Sequence, residues 1–593
     1  MSRPHGSCGG WFAERSRTGL HPTAGFQSAR RVENPPQITN LPHGRNNRTL
    51  SRGILLLAIL AIPLTAAEPD LILKDGRIWT GDPAQPWADA IAIHHNRLVA
   101  VGDNLQVAAT AGPHTRVIEL NGRLTIPGFD DGHVHLIRGA LRSTRVDLSG
   151  ACSLSEMQKR IREYAAGHPK ETWISGGGWD YSCFANRALP TRGDLDAAVK
   201  DRPAYLTAAD GHTAWVNSKA LQLAGITKGT KFSGAGKIVE DAFGEPAGAL
   251  SGAAMALVHR LVPEVPREEK LAAIEQALRM FSSLGVTSIE DVGGDDEAVA
   301  LLDELERQHK LTARVAVYIT VSPPGSAEAV DHVIELLQAH RTSLVRVAGV
   351  NLIMDGQIAA HSAAMLQPYA DAAGTAGKLL WSPEAFNEMA ALCDSGGVQV
   401  ATHAIGDRAV RATLDGYEYA HRANESHDSR FRIEQAETVA PADVGRLARM
   451  GVIAVMIPVH AEQGAMENWG KELGPDVIKA AFPWHSLEQA GAHLVFGSDW
   501  PSGMSADPVH SINAAVNDWI AGQRIGVEDA LRAGTVNGAY ATFDNRNRGR
   551  LRRGMVADVV VLSQDLFEIA PAQIAKTRVD MTIFDGQVVY TRQ

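Results

Sequence analysis

The sequence predicts an α/β fold: a (β/α)8 barrel through the middle of the chain and a small β-domain assembled from its two ends. Three observations predict it. Valine- and isoleucine-rich runs bounded by Gly, Asn and Asp turns occur at both ends of the ordered chain. Between them, short apolar strands alternate with helical stretches. Most of those central strands end in a polar or ionisable residue followed by Gly, Asp or Pro, as expected where a barrel carries its chemistry.

Taken in order, the chain begins with fifty residues that do not read as a domain. They hold seven arginines, no lysine and two glutamates, with frequent Pro and Gly breaks. SRGILLLAILAIPLTAAEPD follows. Arg52 supplies a positive end, Ile54 to Leu64 an apolar stretch and Thr65-Ala66-Ala67 a small-residue cleavage site. The apolar stretch falls short of the ~20 residues that a membrane span needs, so the expectation is a secretory signal at 51–67 and a periplasmic protein. Residues 1–50 are then an extension ahead of the native start. Losing residues 1–67 removes eight arginines and two glutamates, which takes the net charge from −10 to near −16. That charge argues against nucleic acid as a partner and leaves a small-molecule substrate as the expected one. Homo-oligomer formation is left open. Four scattered cysteines without CxxC spacing argue against a cysteine zinc site or a disulfide-stapled fold.

DLILKDGRIWTGD, DAIAIHHNRLVAVGD and RVIELNGRLTIPGF supply the first strands, and GRLRRGMVADVVVLSQDLF and RVDMTIFDGQVVYTRQ the last. The β-domain is thus expected over 70–127 and 549–593, and the barrel over 128–548. Body strands are expected at ETWISGGGW, PAYLTAADGH, GVTSIEDVG, ARVAVYIT, VAGVNLIMDG, VQVATHAIGD, FRIEQAETV, GVIAVMIPVH and AHLVFGSDWP. Helical stretches such as REEKLAAIEQALRMFSSLG and SPEAFNEMAALCDSGG separate most of them.

In LTIPGFDDGHVHL, His133 and His135 alternate with Val134 and so share one face of a strand. His403 in ATHAIGDRAV and Asp499 in VFGSDWPSG also stand at strand ends. Three imidazoles and a carboxylate form a natural ligand set for a divalent ion such as zinc. Such an ion lowers the pKa of a water from 15.7 to about 7. Asp499 is placed both to bind metal and to shuttle a proton.

The chain resembles the amidohydrolase superfamily, in its amidohydrolase-3 branch of metal-dependent hydrolases that includes N-substituted formamide deformylase. Besides PGFDDGHVHL the resemblance rests on GGGWD (176–180), DGHTAWVNSKAL (210–221), GEPAGAL (244–250), LGVTSIED (284–291), THAIGDRAV (402–410), GSDWP (497–501) and GMVADVVVL (554–562). It implies a distorted (β/α)8 TIM barrel, a composite β-sandwich domain built from both ends of the mature chain, and hydrolysis of amide, formamide or cyclic amide C–N bonds. It also implies His133, His135, His403 and Asp499 as ligands and His212 as a catalytic histidine close to the substrate.

Two residues depart from the binuclear pattern. Asn351 in NLIMDG stands where a bridging lysine would be, and Gln435 in RIEQA where a second histidine would be. Carboxamides are poor zinc ligands beside imidazole or carboxylate, so one zinc per chain is expected. Gln435 is then free to contact substrate, with Trp179, Trp215 and Trp500 as pocket walls. Glu437 shares the strand face of Gln435 and is the candidate substitute ligand. Asp291, Asp355, His361 and His460 also lie near strand ends, where turn, cap and polar-core duties are commoner. The alternatives are a mononuclear deaminase, a lactonase or carbamate hydrolase on the same barrel, and a catalytically degenerate exported binding protein.

Overall fold

Eight strands run parallel, side by side, in the computed structural model of the protein: β1 (Phe129–Val134), β2 (Val286–Gly294), β3 (Arg314–Thr320), β4 (Val345–Ile353), β5 (Gln399–His403), β6 (Arg432–Glu434), β7 (Ile453–Met456) and β8 (His493–Phe496). The structure describes residues 68–593 except 185–188, 210, 212, 235, 426, 462, 503, 504, 518 and 519. The extension and signal read at 1–67, and His212, lie outside the described residues.

Each neighbouring pair from β1 to β8 is hydrogen-bonded in parallel register. The seam between β8 and β1 is joined just past the strands, where Asp499 N–H donates to the His133 carbonyl (2.8 Å) and His135 N–H to the Trp500 carbonyl (2.9 Å). Glycine is required here: a Cβ on Gly132 would stand 2.3 Å from the Val495 side chain and 3.1 Å from the Phe496 carbonyl. The DGHVH motif therefore closes the barrel as well as presenting its histidines.

The helices cover the barrel because their apolar residues recur on one face. Helix Arg267–Ser283 buries Leu271, Ile274, Leu278 and Phe281, and Glu268 and Glu269 in its first turn suit the helix dipole. Helix Pro383–Ser395 starts with proline and is capped by Ser382, whose hydroxyl accepts from Ala385 N–H.

Strands from the two ends of the chain share a sheet: Leu124–Pro127 pairs antiparallel with Val559–Leu562, which is followed by Val579–Phe584 and Gln587–Thr591. A second sheet of Leu71–Lys74, Ala90–His94, Arg97–Gly102 and Arg116–Glu119 packs Leu71, Leu73, Ile91 and Ile93 with Val559, Val561 and Ile583. Alternate residues of each strand thus meet in one apolar layer.

The structure differs from the sequence expectation for two body strands. Ile174–Trp179 and Ala204–Ala208 belong to a separate six-stranded sheet with Val146–Asp147, Thr213–Val216, Pro246–Gly252 and Gly236–Glu240. Their mutual pairing is parallel, as in a barrel unit, but the next strand pairs antiparallel and turns the sheet into an insertion after β1. Although the cysteine spacing argues against a disulfide-stapled fold, Cys152 and Cys183 are joined there by a disulfide with Cα atoms 4.5 Å apart.

Candidate metal centre

His133, His135 and Asp499 meet at the C-terminal mouth of the barrel, with one ligand atom from each lying within 4.8 Å of the others. The β-strand alternation puts both imidazoles on one side, and the seam hydrogen bonds bring Asp499 to them. Asp499 Oδ1 is 3.2 Å from His135 Nε2 and 3.6 Å from His133 Nε2. It is buried, with no hydrogen-bond partner apart from these two rings. Three donor atoms thus face a common point in place of one another, and two imidazoles with a carboxylate suit a divalent ion. Asp499 holds a left-handed backbone (φ +52°), as does Gln435 (φ +58°). Such conformations cost energy in residues other than glycine and gather at functional sites.

His133 is fixed from behind by a residue to which the sequence reading gave no role. Its Nδ1 lies 2.7 Å from Glu434 Oε2, so Nδ1–H donates to the carboxylate and Nε2 is left facing Asp499. Glu434 Oε1 accepts from Arg432 Nε at 2.8 Å. Arg432 also bonds Glu290, the Tyr318 hydroxyl (2.8 Å) and the Gly132 carbonyl (2.8 Å), all within the buried interior. Arg432 and Glu434 alternate in RIEQA onto one face of β6, which the pairing with β5 and β7 turns inward. Charged strand residues there need buried partners.

The charges are consistent with this geometry. Burial pushes His133 down, but hydrogen bonds to Asp499 and Glu434 and their negative charges overcome it and raise it to about 10. Burial pushes Asp499 up, but the hydrogen bonds and charges of His133 and His135 hold it well below the usual carboxylate range. His403 stands at the end of β5 beside Glu434 in register, outside the closest group of ligand atoms. Burial and then the charge of His133 lower it to about 4, so its ring is neutral with a free lone pair at neutral pH.

Gln435 Nε2–H donates to Asp499 Oδ2 at 2.9 Å, while its own Oε1 is buried without a hydrogen bond. Glu437 is not among the closest ligand atoms: its Oε1 pairs with His460 Nδ1 at 2.7 Å, and His460 Nε2 lies 3.8 Å from Asp499 Oδ2. His460 is thereby drawn to the centre. Asn351 is buried in β4, with its Nδ2 3.5 Å from Thr320 Oγ1. Asp291 caps the helix that begins at Leu136, Asp355 accepts three backbone N–H groups, and His361 pairs with Asp371 at 2.9 Å.

The tryptophans divide. Trp179 and Trp215 are fully buried in the insertion's core, where their indole N–H groups donate to the Leu206 and Thr191 carbonyls. The structure does not bring these two to the metal centre. Trp500 follows Asp499 directly and stacks edge-on against Phe281 with ring centroids 5.4 Å apart.

Comparison with known proteins agrees with this architecture. The amidohydrolase family model of the amidohydrolase-3 branch matches residues 116–590. Protein LONG AFTER FAR-RED 3 of Arabidopsis thaliana is 32% identical over 85% of this chain and 89% of its own. N-substituted formamide deformylase of Arthrobacter pascens is 25% identical over 88% of this chain and 98% of its own. The crystal structure of an uncharacterized metal-dependent hydrolase from Pyrococcus furiosus superposes with a TM-score of 0.68 at 29% identity, covering 84% of this chain and 99% of that one. The barrel, the strand-end histidines and aspartate, and a family match over most of the chain lead to one conclusion: the chain belongs to the amidohydrolase family of metal-dependent hydrolases.

Proposed function

We propose that this hydrolase cleaves non-peptide C–N bonds in small amides, formamides or cyclic amides, with one zinc ion per chain. The observation that carries the reading is the trio of His133, His135 and Asp499, with Asp499 Oδ1 facing both imidazoles and Glu434 fixing His133. His403, neutral at the neighbouring strand end, is the proposed fourth ligand. The likeness to N-substituted formamide deformylase supports the choice of bond. One ion is favoured because Asn351 offers no amine for a bridge and Gln435 offers only a carboxamide, already bonded to Asp499.

When bound, the ion supplies a Lewis acid for the scissile carbonyl and lowers the pKa of the attacking water towards ~7. Asp499 takes a proton from that water and returns it to the departing nitrogen, so one water is consumed and an acid and an amine leave. Gln435 steadies the carboxylate through its N–H bond to Oδ2. His460, oriented by Glu437, lines the same side of Asp499. His212 is assigned to the developing oxyanion, which needs a donor already in place.

A panel of N-formyl, N-acyl and cyclic amides offered to zinc-loaded protein tests the reading. Turnover is expected on at least one class, and Asp499→Asn should lower it by roughly 10²- to 10⁴-fold without unfolding the chain. Activity confined to lactones or to ring deamination, or equal turnover in the variant, would overturn it. We also propose that the mature chain is exported. The disulfide between Cys152 and Cys183 supports an oxidising compartment.

A further inference from the structure

At the opposite end of the barrel from the metal centre, a cavity of about 270 Å³ opens between the strand N-termini and the β-domain. Five arginines line it: Arg97, Arg314, Arg341, Arg346 and Arg548. Only one lining residue, Asp544, is acidic, and it is bound to Arg548 at 3.0 Å.

The arginines fall into two groups. Arg314 is neutralised by Asp558 (3.0 Å) and Asp585 (2.6 Å), and Arg548 by Asp130 and Asp544. Arg314 thereby ties the barrel to the β-domain, and Arg548 ties β1 to the segment that leaves the barrel. The other three have no carboxylate within ion-pair distance among the described residues. Arg346 donates only to the Thr542 carbonyl (2.7 Å) and Arg97 only to the Gly554 carbonyl (3.2 Å). Arg341 sits exposed at the rim with Thr342 and Ser343. Burial, and then the nearby charge of Arg548, lower Arg346, against the opposing pull of Asp544 and Asp130. A cation in that position is costly unless an anion joins it.

We propose that this cavity binds a phosphate group, free or as the ester of a small metabolite, between Arg97, Arg341 and Arg346. A guanidinium presents paired N–H donors that match phosphate oxygens, and the three arginines without a carboxylate partner offer such donors from three directions. Ser288, Ser343 and Asn547 line the same space and add neutral hydrogen-bonding groups. A cavity of about 270 Å³ has room for a phosphate group or a small phosphate ester. Because the lining comes from β2, β3 and β4 together with Arg97 and Val556 of the β-domain, a ligand there would brace the two parts against each other.

The test is thermal unfolding and calorimetric titration of the metal-loaded full chain with inorganic phosphate, at ionic strength held constant with chloride. The expected result is a saturable rise in Tm with a dissociation constant below about 1 mM. It should be retained in Asp499→Asn, which alters the metal centre, and lost in Arg346→Met. Arg341→Ala at the exposed rim should weaken binding at least fivefold while leaving hydrolysis unchanged, and it serves if Arg346→Met does not fold. A phosphate effect equal in wild type and Arg341→Ala would overturn the proposal. So would an effect lost in Asp499→Asn, or a weak non-saturable one, an adventitious ion only. A second arm with glycerol phosphate distinguishes the ester from free phosphate by the ratio of the two affinities.

Discussion

His133 carries two partners at once, Glu434 behind it and Asp499 in front, and this fixes both its orientation and its charge. In the metal-free chain it is raised to about 10, whereas the unfolded chain has an ordinary histidine near 6.5. Its proton therefore stabilises the metal-free fold fully below pH 6.5, and that contribution is lost as pH rises through about 10. Metal competes with the same proton. Apparent zinc affinity should accordingly climb with pH from 6 to 9, by up to tenfold per unit from this group alone, while the metal-free Tm falls. Competition against a chelator of known affinity at several pH values measures it, and a flat profile would sink the assignment of His133 as a protonated ligand. At this scale the HxH pair and the strand-end aspartate were legible because spacing and position expose them. Glu434 and Arg432 were not, because a sequence does not say that two charged strand residues face inward until the strands on either side are known.

Among the elements, the β8–β1 seam decides whether the ligands meet. Gly132 allows β8 to approach, and a methyl there must displace Val495 or the Phe496 backbone. Gly132→Ala should destabilise the chain by about 1–3 kcal/mol, as overpacking does. It should also weaken metal binding, because His133 follows directly. A variant with unchanged Tm and metal affinity would show that the seam is looser than described. The barrel strands were readable from alternation with helices, but the insertion was not. Ile174–Trp179 and Ala204–Ala208 pair in parallel with a helix between them, which is locally the same as a barrel unit. What separates them is the antiparallel partner at Thr213–Val216 and its link to Pro246–Gly252, a pairing across some thirty residues that no local pattern announces. Trp179 and Trp215 moved with those strands into the insertion's core.

For the whole molecule, the β-domain joins residues near both ends of the described chain, so its first strand at Leu71–Lys74 begins close to the proposed cleavage point. No described helix is long and apolar enough to cross a membrane. Mass spectrometry of the exported protein should find an N-terminus at Glu68 or within a few residues of it, and Cys152 and Cys183 blocked to alkylation until reduced. A native chain that retains residues 1–50 would overturn the export proposal without touching the metal centre.

The central claim is that one divalent ion, held by His133, His135, His403 and Asp499, makes this barrel a hydrolase. Stepwise zinc loading of chelator-treated protein, with bound metal and amide turnover recorded on the same samples, tests it most directly. Turnover should rise in proportion to bound zinc and level off at one ion per chain. A plateau reached only at two ions per chain, or no turnover at full occupancy, would contradict it.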